Sequence, residues 1–165
     1  MMQLRYSLIP YMYSEYVQDA LSGGMFIRPL AFDYPDDSRA CHIEDQLMVC
    51  GGLMIAPVYE QNADGRMVYL PEKMTMVRWH AGKAEQTLLA KGDHYIEVPV
   101  SDIVFFVKHS ALIPLCRPAL STDRLDTKHL TFLGNGIKYD LYEDDGFTTD
   151  IKTEGRIRRV RKEAE

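Results

Sequence analysis

Residues 66–115 read RMVYLPEKMTMVRWHAGKAEQTLLAKGDHYIEVPVSDIVFFVKHSALIPL, and this stretch decides the fold. It consists of short runs rich in β-branched and aromatic residues: Arg66–Leu70, Thr75–Trp79, Glu85–Leu89, His94–Val98, Ile103–Val107 and Leu112–Leu115. Between them stand Pro71-Glu72-Lys73, Ala81-Gly82, Lys91-Gly92-Asp93 and Ser101-Asp102, residues that supply turns. That rhythm predicts an antiparallel β-sandwich and argues against βαβ units. Within His94–Val98 the side chains alternate, so Tyr95 and Glu97 should face away from Ile96 and Val98.

Upstream, the pattern changes period. From Leu4 to Leu21 the apolar residues Leu4, Leu8, Tyr11, Met12, Tyr16 and Leu21 recur at helical spacing. Pro10 removes one backbone donor and should kink this helix. Ser22-Gly23-Gly24 ends it. Met25-Phe26-Ile27, running into Arg28-Pro29-Leu30, reads as a strand. Tyr34-Pro35-Asp36-Asp37-Ser38 reads as a capping turn that starts a helix over about Arg39 to Val49. Gly51-Gly52 stops that helix, and Leu53–Val58 is an apolar strand ended by Pro57. Downstream, Pro118–Lys128 is loop-like. Leu130–Leu133 and Ile137–Tyr142 read as a hairpin about Gly134-Asn135-Gly136, and the basic tail Gly155–Glu165 reads as a frayed or edge strand.

Composition narrows the classes of function. The chain is 46% hydrophobic, enough for a core, and its 24 acidic against 19 basic residues give a net charge of -5. Neither that balance nor the tail, which has no interleaved aromatics, points to nucleic acid. No apolar run is long enough for a membrane span and no signal peptide is read, so a cytoplasmic location is the expectation. Cys41, Cys50 and Cys116 lack any CxxC spacing and read as three buried free thiols.

A set of blocks, in order, then carries a resemblance. Arg5-Tyr6-Ser7-Leu8-Ile9-Pro10-Tyr11-Met12-Tyr13 resembles the RY-x-L-x-PY-x-Y helix of glycoside hydrolase family 31, the α-glucosidase and α-xylosidase family. Arg28-Pro29-Leu30 with Phe32–Asp37 resembles its RPL…FP-x-D segment. Asp45-Gln46-Leu47-Met48 and Leu53–Val58 resemble its DQ helix and APV strand. Val68-Tyr69-Leu70-Pro71, Val107–Leu115 and Leu141-Tyr142-Glu143-Asp144-Asp145-Gly146 with Thr148 resemble (V/R)YLP, V-x-x-GSIIP and LYEDDG-x-T. Cys50 and Ser110 stand where the family patterns carry glycine, which suggests altered local turns.

The resemblance implies a mainly β chain. Residues 1–52 would be the C-terminal end of a (β/α)8 barrel, 53–117 a proximal β-sandwich, and 118–165 the truncated start of a distal β-domain. It implies a C-terminal fragment of a retaining α-glycosidase, acting on α-linked oligosaccharides through the complete enzyme. Such chemistry needs two carboxyl groups about 5–5.5 Å apart. The family's pair lies upstream of every block matched here, so no catalytic residue is assigned and the role implied is scaffold.

Arg28, Asp33 and Trp79 form the candidate substrate-binding set. The plainer readings are a buried ion pair for Arg28, capping and solvation for Asp33, Asp36 and Asp37, and core packing for Trp79. Trp79-His80 with Tyr69 is the candidate sugar-stacking platform. Glu143-Asp144-Asp145-Gly146 offers hard oxygens but not the spaced ligands of a calcium loop, and reads as an acidic turn bonded to its own amides. No metal site and no cofactor are assigned. Two other readings stand beside the scaffold: a carbohydrate-binding sandwich with an exposed aromatic shelf, and one half of a split glycosidase. Apolar faces at Leu4, Leu8, Met12, Phe26 and Ile27 would need cover. The first helix could fold back on the sandwich, or the faces could take a second copy or a missing barrel polypeptide.

Overall fold

Pro10 sets the first feature of the computed structural model, which describes residues 2–147 and 155–162. The single helical pattern appears as two helices, α1 (Met2–Ser7) and α2 (Ile9–Ser22), divided at Leu8. Bonds of 3.0 Å from Leu8 N to Leu4 O and 2.9 Å from Met12 N to Leu8 O carry the ladder across the division. Proline sits in the first turn of α2, where its missing donor costs least. The carbonyl that a donor at position 10 would reach, Tyr6 O, accepts from the Cys116 thiol at 3.5 Å. Gly23, at φ 75°, closes α2 in the left-handed conformation.

By contacts the chain divides into two compact units, residues 27–109 and residues 1–26 with 110–165. In the first, β1 (Ile27–Pro29) leads into a single helical turn, α3 (Leu30–Asp33). Strands β2 (Leu47–Val49), β3 (Leu53–Ile55), β4 (Gly65–Leu70), β5 (Met74–His80), β6 (Lys83–Leu89), β7 (Gly92–Glu97) and β8 (Ile103–Lys108) follow. Six of them form one sheet in the order β1-β2-β3-β8-β5-β6, every neighbour antiparallel, and β4 pairs with β7 in a ribbon. Ile103–Val107 is apolar at every position because β8 is an interior strand, with Phe105, Phe106 and Val107 all buried. Met48, Met54, Met74 and Phe106 of the sheet share one core with Val68, Leu70 and Ile96 of the ribbon, a sandwich of two layers. Tyr95 is 61% exposed beside buried Ile96, as the alternation predicts.

The expected helix over Arg39–Val49 is not formed. Asp37 Oδ1 accepts from the amides of Arg39 and Ala40, but the capped element is one 3-10 turn, Ala40–His42. Leu47-Met48-Val49 is instead a strand, held on one side by β1 and on the other by β3. Two ladders outweigh the weak helical spacing of this short segment. Gln46 is buried and ties this strand's start to the ribbon: its Nε2 donates to Tyr69 O at 2.7 Å and its Oε1 accepts from Tyr69 N at 2.9 Å. The strand expected over Met25–Leu30 is confined to Ile27–Pro29, at one edge of the sheet.

In the second unit, β9 (Leu112–Arg117) pairs with β10 (Asp126–Gly134), and β11 (Lys138–Glu143) pairs with β12 (Arg156–Arg161). The expected hairpin between β10 and β11 is therefore replaced by pairing of each with another strand. Helices α1 and α2 pack on β9, and α2 also on β11. Buried Ser14 joins helix to strand, donating to Pro10 O at 2.7 Å and accepting from Tyr142 N at 2.9 Å. Tyr11 is 1% exposed, with its ring 5.3 Å from that of Tyr139. Leu4 is buried here, while Ile27 of the other unit is 53% exposed. Of the thiols, Cys50 and Cys116 are buried, but Cys41 is exposed, which corrects the reading of three buried cysteines. Thr148 lies outside the described residues, as do the last three residues of the tail.

No helix among the described residues is long and apolar enough to cross a membrane.

Candidate functional site

Arg28 and Asp33 meet because β1 runs directly into α3, which places them five residues apart across a tight corner. The guanidinium grips both oxygens of the carboxylate, Nε on Oδ1 and Nη2 on Oδ2, the latter at 3.0 Å. Such two-pronged pairs are strong and geometrically exacting. Lys108, at the end of β8, donates to the same Oδ2 at 2.6 Å. Its ammonium also lies 5.3 Å from the centre of the Tyr34 ring, whose hydroxyl donates to Glu72 at 2.5 Å.

The cluster is largely shielded from water, Arg28 and Asp33 keeping 16% and 10% of their side-chain surfaces exposed. Burial alone would raise the Asp33 pKa, but hydrogen bonds from Arg28 and Lys108 outweigh it and leave the carboxyl below its ordinary value. Burial, then the bond to Glu72, pushes the Tyr34 phenol far up. A carboxylate stabilised in its charged form by two cations is a poor proton donor and a weak nucleophile. Chemically, this arrangement braces the β1–α3 corner against β8. Lys108, Tyr34 and Glu72 escaped the sequence reading because they come from segments with no shared pattern.

Asp37 anchors a neighbouring cluster in the same unit. Its Oδ2 accepts from Lys91 Nζ at 2.6 Å and from the Tyr69 hydroxyl at 2.7 Å. These bonds, Lys91 first, hold its carboxyl well below the usual range. Tyr69 is only 8% exposed and has the Arg39 guanidinium 4.8 Å from its ring centre, so it offers no open shelf.

Trp79 lies elsewhere. It pairs with Ile103 at one end of the β5–β8 ladder, while Lys108 pairs with Met74 at the other. Five residues of strand separate the two positions, about 17 Å at strand rise. Trp79 is half-buried and is not brought to Arg28 and Asp33. His80 Nδ1 contacts Asp102 Oδ1 at 2.7 Å, and Arg78 donates to Asp102 Oδ2 at 2.8 Å. Arg78 first, then His80, bring the Asp102 carboxyl down to about 2.

In the other unit, the acidic turn is satisfied locally. Gly146 N donates to Asp144 and Phe147 N to Asp145, each at 2.9 Å, and Tyr13 donates to Asp144. The bond to Asp144 and burial push the Tyr13 phenol up to about 12. No group of three metal-ligating side chains occurs among the described residues.

Comparison with known proteins decides what scaffold these clusters belong to. Residues 23–113, more than half of the chain, match the glycosyl hydrolase family 31 C-terminal domain. The chain belongs to glycosyl hydrolase family 31. Alpha-glucosidase 2 of Bacillus thermoamyloliquefaciens is 30% identical over 151 residues, covering 88% of this chain and 19% of that protein. The alpha-xylosidase of Saccharolobus solfataricus is 29% identical over 157 residues, covering 91% of this chain and 20% of that one.

Among solved structures, the family 31 dextranase of Flavobacterium johnsoniae, complexed with glucose, aligns with a TM-score of 0.70 at 28% identity. That alignment covers 90% of this chain and 19% of the dextranase. The family 31 alpha-xylosidase of Xanthomonas citri gives the same TM-score at 29% identity over 87% of this chain and 16% of its own. The chain therefore spans about a fifth of the family 31 relatives it matches.

Proposed function

We propose that this chain is the C-terminal section of a retaining α-glycosidase whose complete form hydrolyses O-glycosyl bonds of α-glucosides or α-xylosides. The observation that carries the reading is the continuous similarity over about nine-tenths of the chain to proteins named α-glucosidase and α-xylosidase. The helices before residue 23 are read as the end of the barrel, residues 23–113, which carry the family match and include β1 and β2, as the proximal sandwich, and the strands after them as the start of a distal β-domain.

Within that enzyme the chain acts as scaffold. Asp33 and Asp37 are each committed to cations, and neither has the raised pKa a general acid needs. Arg28 and Asp33, with Lys108, brace the corner after β1 at the edge of the sandwich sheet, which supports the scaffold reading. The open edge of β1, flanked by Ile27 at 53% and Phe32 at 63% exposure, suits pairing with further barrel structure.

The test is hydrolysis of nitrophenyl α-glucoside and α-xyloside by this chain alone and by the same chain joined to an upstream family 31 barrel. Turnover only by the joined protein is expected. Turnover by the chain alone overturns the scaffold reading, and none by a folded joined protein overturns the glycosidase reading.

A further inference from the structure

Outside the Arg28–Asp33 cluster, one concave site in the 27–109 unit has both shape and chemistry. It is a cavity of about 370 Å³ walled by the loop that carries Tyr59 and Glu60, and by the β4–β7 ribbon. That volume lies within the range of small-molecule sites, roughly 300–1,000 Å³. Two tyrosine rings flank it, Tyr59 at 67% and Tyr95 at 61% exposure, with Met67 directly opposite Tyr95 in the ribbon register.

Exposed aromatic rings are usually mobile, but Tyr59 is held. The Arg66 guanidinium sits 5.4 Å from its ring centre, and its hydroxyl donates to Asp45 Oδ2 at 3.3 Å. With Arg66 over its ring, Tyr59 still keeps 67% of its surface exposed. The loop itself is tied down by a 2.7 Å bond from Val98 N to Asp64 O.

Charge selects the class of ligand. Arg66 donates to Asp45 and to the carbonyls of Asp45, Pro57 and Met67, so its positive charge is paired and four of its five donors are engaged within the protein. With Glu60 also in the wall, nothing here would hold a phosphate or carboxylate. Flat apolar ring faces beside a carboxylate suit a neutral, hydroxyl-rich ligand instead. Asp45 keeps 38% of its side-chain surface exposed, and none of these bonds uses its Oδ1, an acceptor for a sugar hydroxyl.

We propose that Tyr59, Tyr95 and Asp45, braced by Arg66, form a non-catalytic binding site for an α-linked gluco-oligosaccharide. The linkage rests on the α-glycosidase reading, while the sugar class rests on the site's own chemistry. A shelf of this kind holds a polymer while another part of the chain is processed.

The experiment titrates maltoheptaose into the 165-residue chain and into its Tyr59→Ala, Tyr95→Ala and Trp79→Ala variants, by calorimetry and by tyrosine ring NMR. Circular dichroism checks that each variant is folded. Expected are ring-resonance shifts for Tyr59 and Tyr95, roughly tenfold weaker binding in either tyrosine variant, and unchanged binding in Trp79→Ala. No binding by the folded chain, or binding by both tyrosine variants as tight as by the parent chain, overturns the proposal. Binding that fails only in Trp79→Ala also overturns it. Hydrolysis by the barrel-joined protein without maltoheptaose binding sinks this site alone. Binding without hydrolysis leaves the site and removes the α-glycosidase reading.

Discussion

Lys108 Nζ lies 2.6 Å from Asp33 Oδ2, across 75 residues of sequence, on a carboxylate that Arg28 already grips. Asp33→Ala removes the shared partner of two shielded cations. It is expected to cost about 2–4 kcal/mol of stability, measured by urea unfolding. Lys108→Met keeps the Arg28 pair and should cost less.

The same carboxylate sets a pH dependence. Its folded pKa is lowered, so its stabilisation is present above the unfolded aspartate value of about 3.9 and is lost as pH falls through the folded value. Asp102, held at about 2 by Arg78 and His80, works in the same direction. In the Asp33→Asn, Asp102→Asn double variant, stability should fall less steeply between about pH 4 and pH 2 than in the parent. An equally steep acid limb would show that other carboxylates govern it.

The β5–β6 hairpin turns on Ala81 and Gly82, both at positive φ, 49° and 82°. A two-residue turn of this kind prefers asparagine at its first position, because an alanine Cβ is strained there. Ala81 is exposed, so nothing is lost in packing. Ala81→Asn should add about 0.5–1 kcal/mol, read as a higher melting temperature.

Cysteine chemistry separates the three thiols. Cys41 is exposed, Cys50 is fully buried, and burial pushes the Cys116 thiol up. A thiol-reactive disulfide reagent should label one cysteine quickly in the folded chain and all three in urea. Rapid labelling of Cys116 would mean that its contact with Tyr6 O opens readily.

Gly136 is a steric requirement. A Cβ there would lie 2.6 Å from Ala111 C and Leu112 N, both backbone atoms, and Gly136 N donates to Ala111 O at 2.9 Å. Gly136→Ala should destabilise by about 1–3 kcal/mol in thermal unfolding.

Much of the sandwich was legible because strands announce themselves locally. The six runs from Arg66 to Leu115 matched β4 to β9, and even the outward turn of Tyr95 followed from alternation. Leu47-Met48-Val49 misled because three residues carry almost no period, and their pairing with β1 and β3 is a tertiary fact. Pairing of β10 and β11 with other strands was hidden for the same reason. Cys50 shows the reverse case. It occupies a glycine position of the family pattern and keeps the left-handed backbone, at φ 58°, with its side chain fully buried. A buried ion pair was readable for Arg28, but its partner Asp33 read as a capping residue, Lys108 carried no signal, and the Tyr59–Tyr95 shelf joins a loop to a strand that no spacing connects.

The unit formed by residues 1–26 and 110–165 has a consequence for synthesis. Helix α2 is complete at Ser22, but the strands it packs on begin only at Leu112 for β9 and at Lys138 for β11. At translation rates of about 5–20 residues per second, β9 follows α2 by roughly 4–18 s and β11 by roughly 6–23 s. Until β9 is made, the face of α2 that carries Tyr11 and Val17 lacks both of these strands, whereas residues 27–109 can close their sheet first. Chaperone demand on the ribosome should therefore fall on α1 and α2, whose folding waits for strands not yet made.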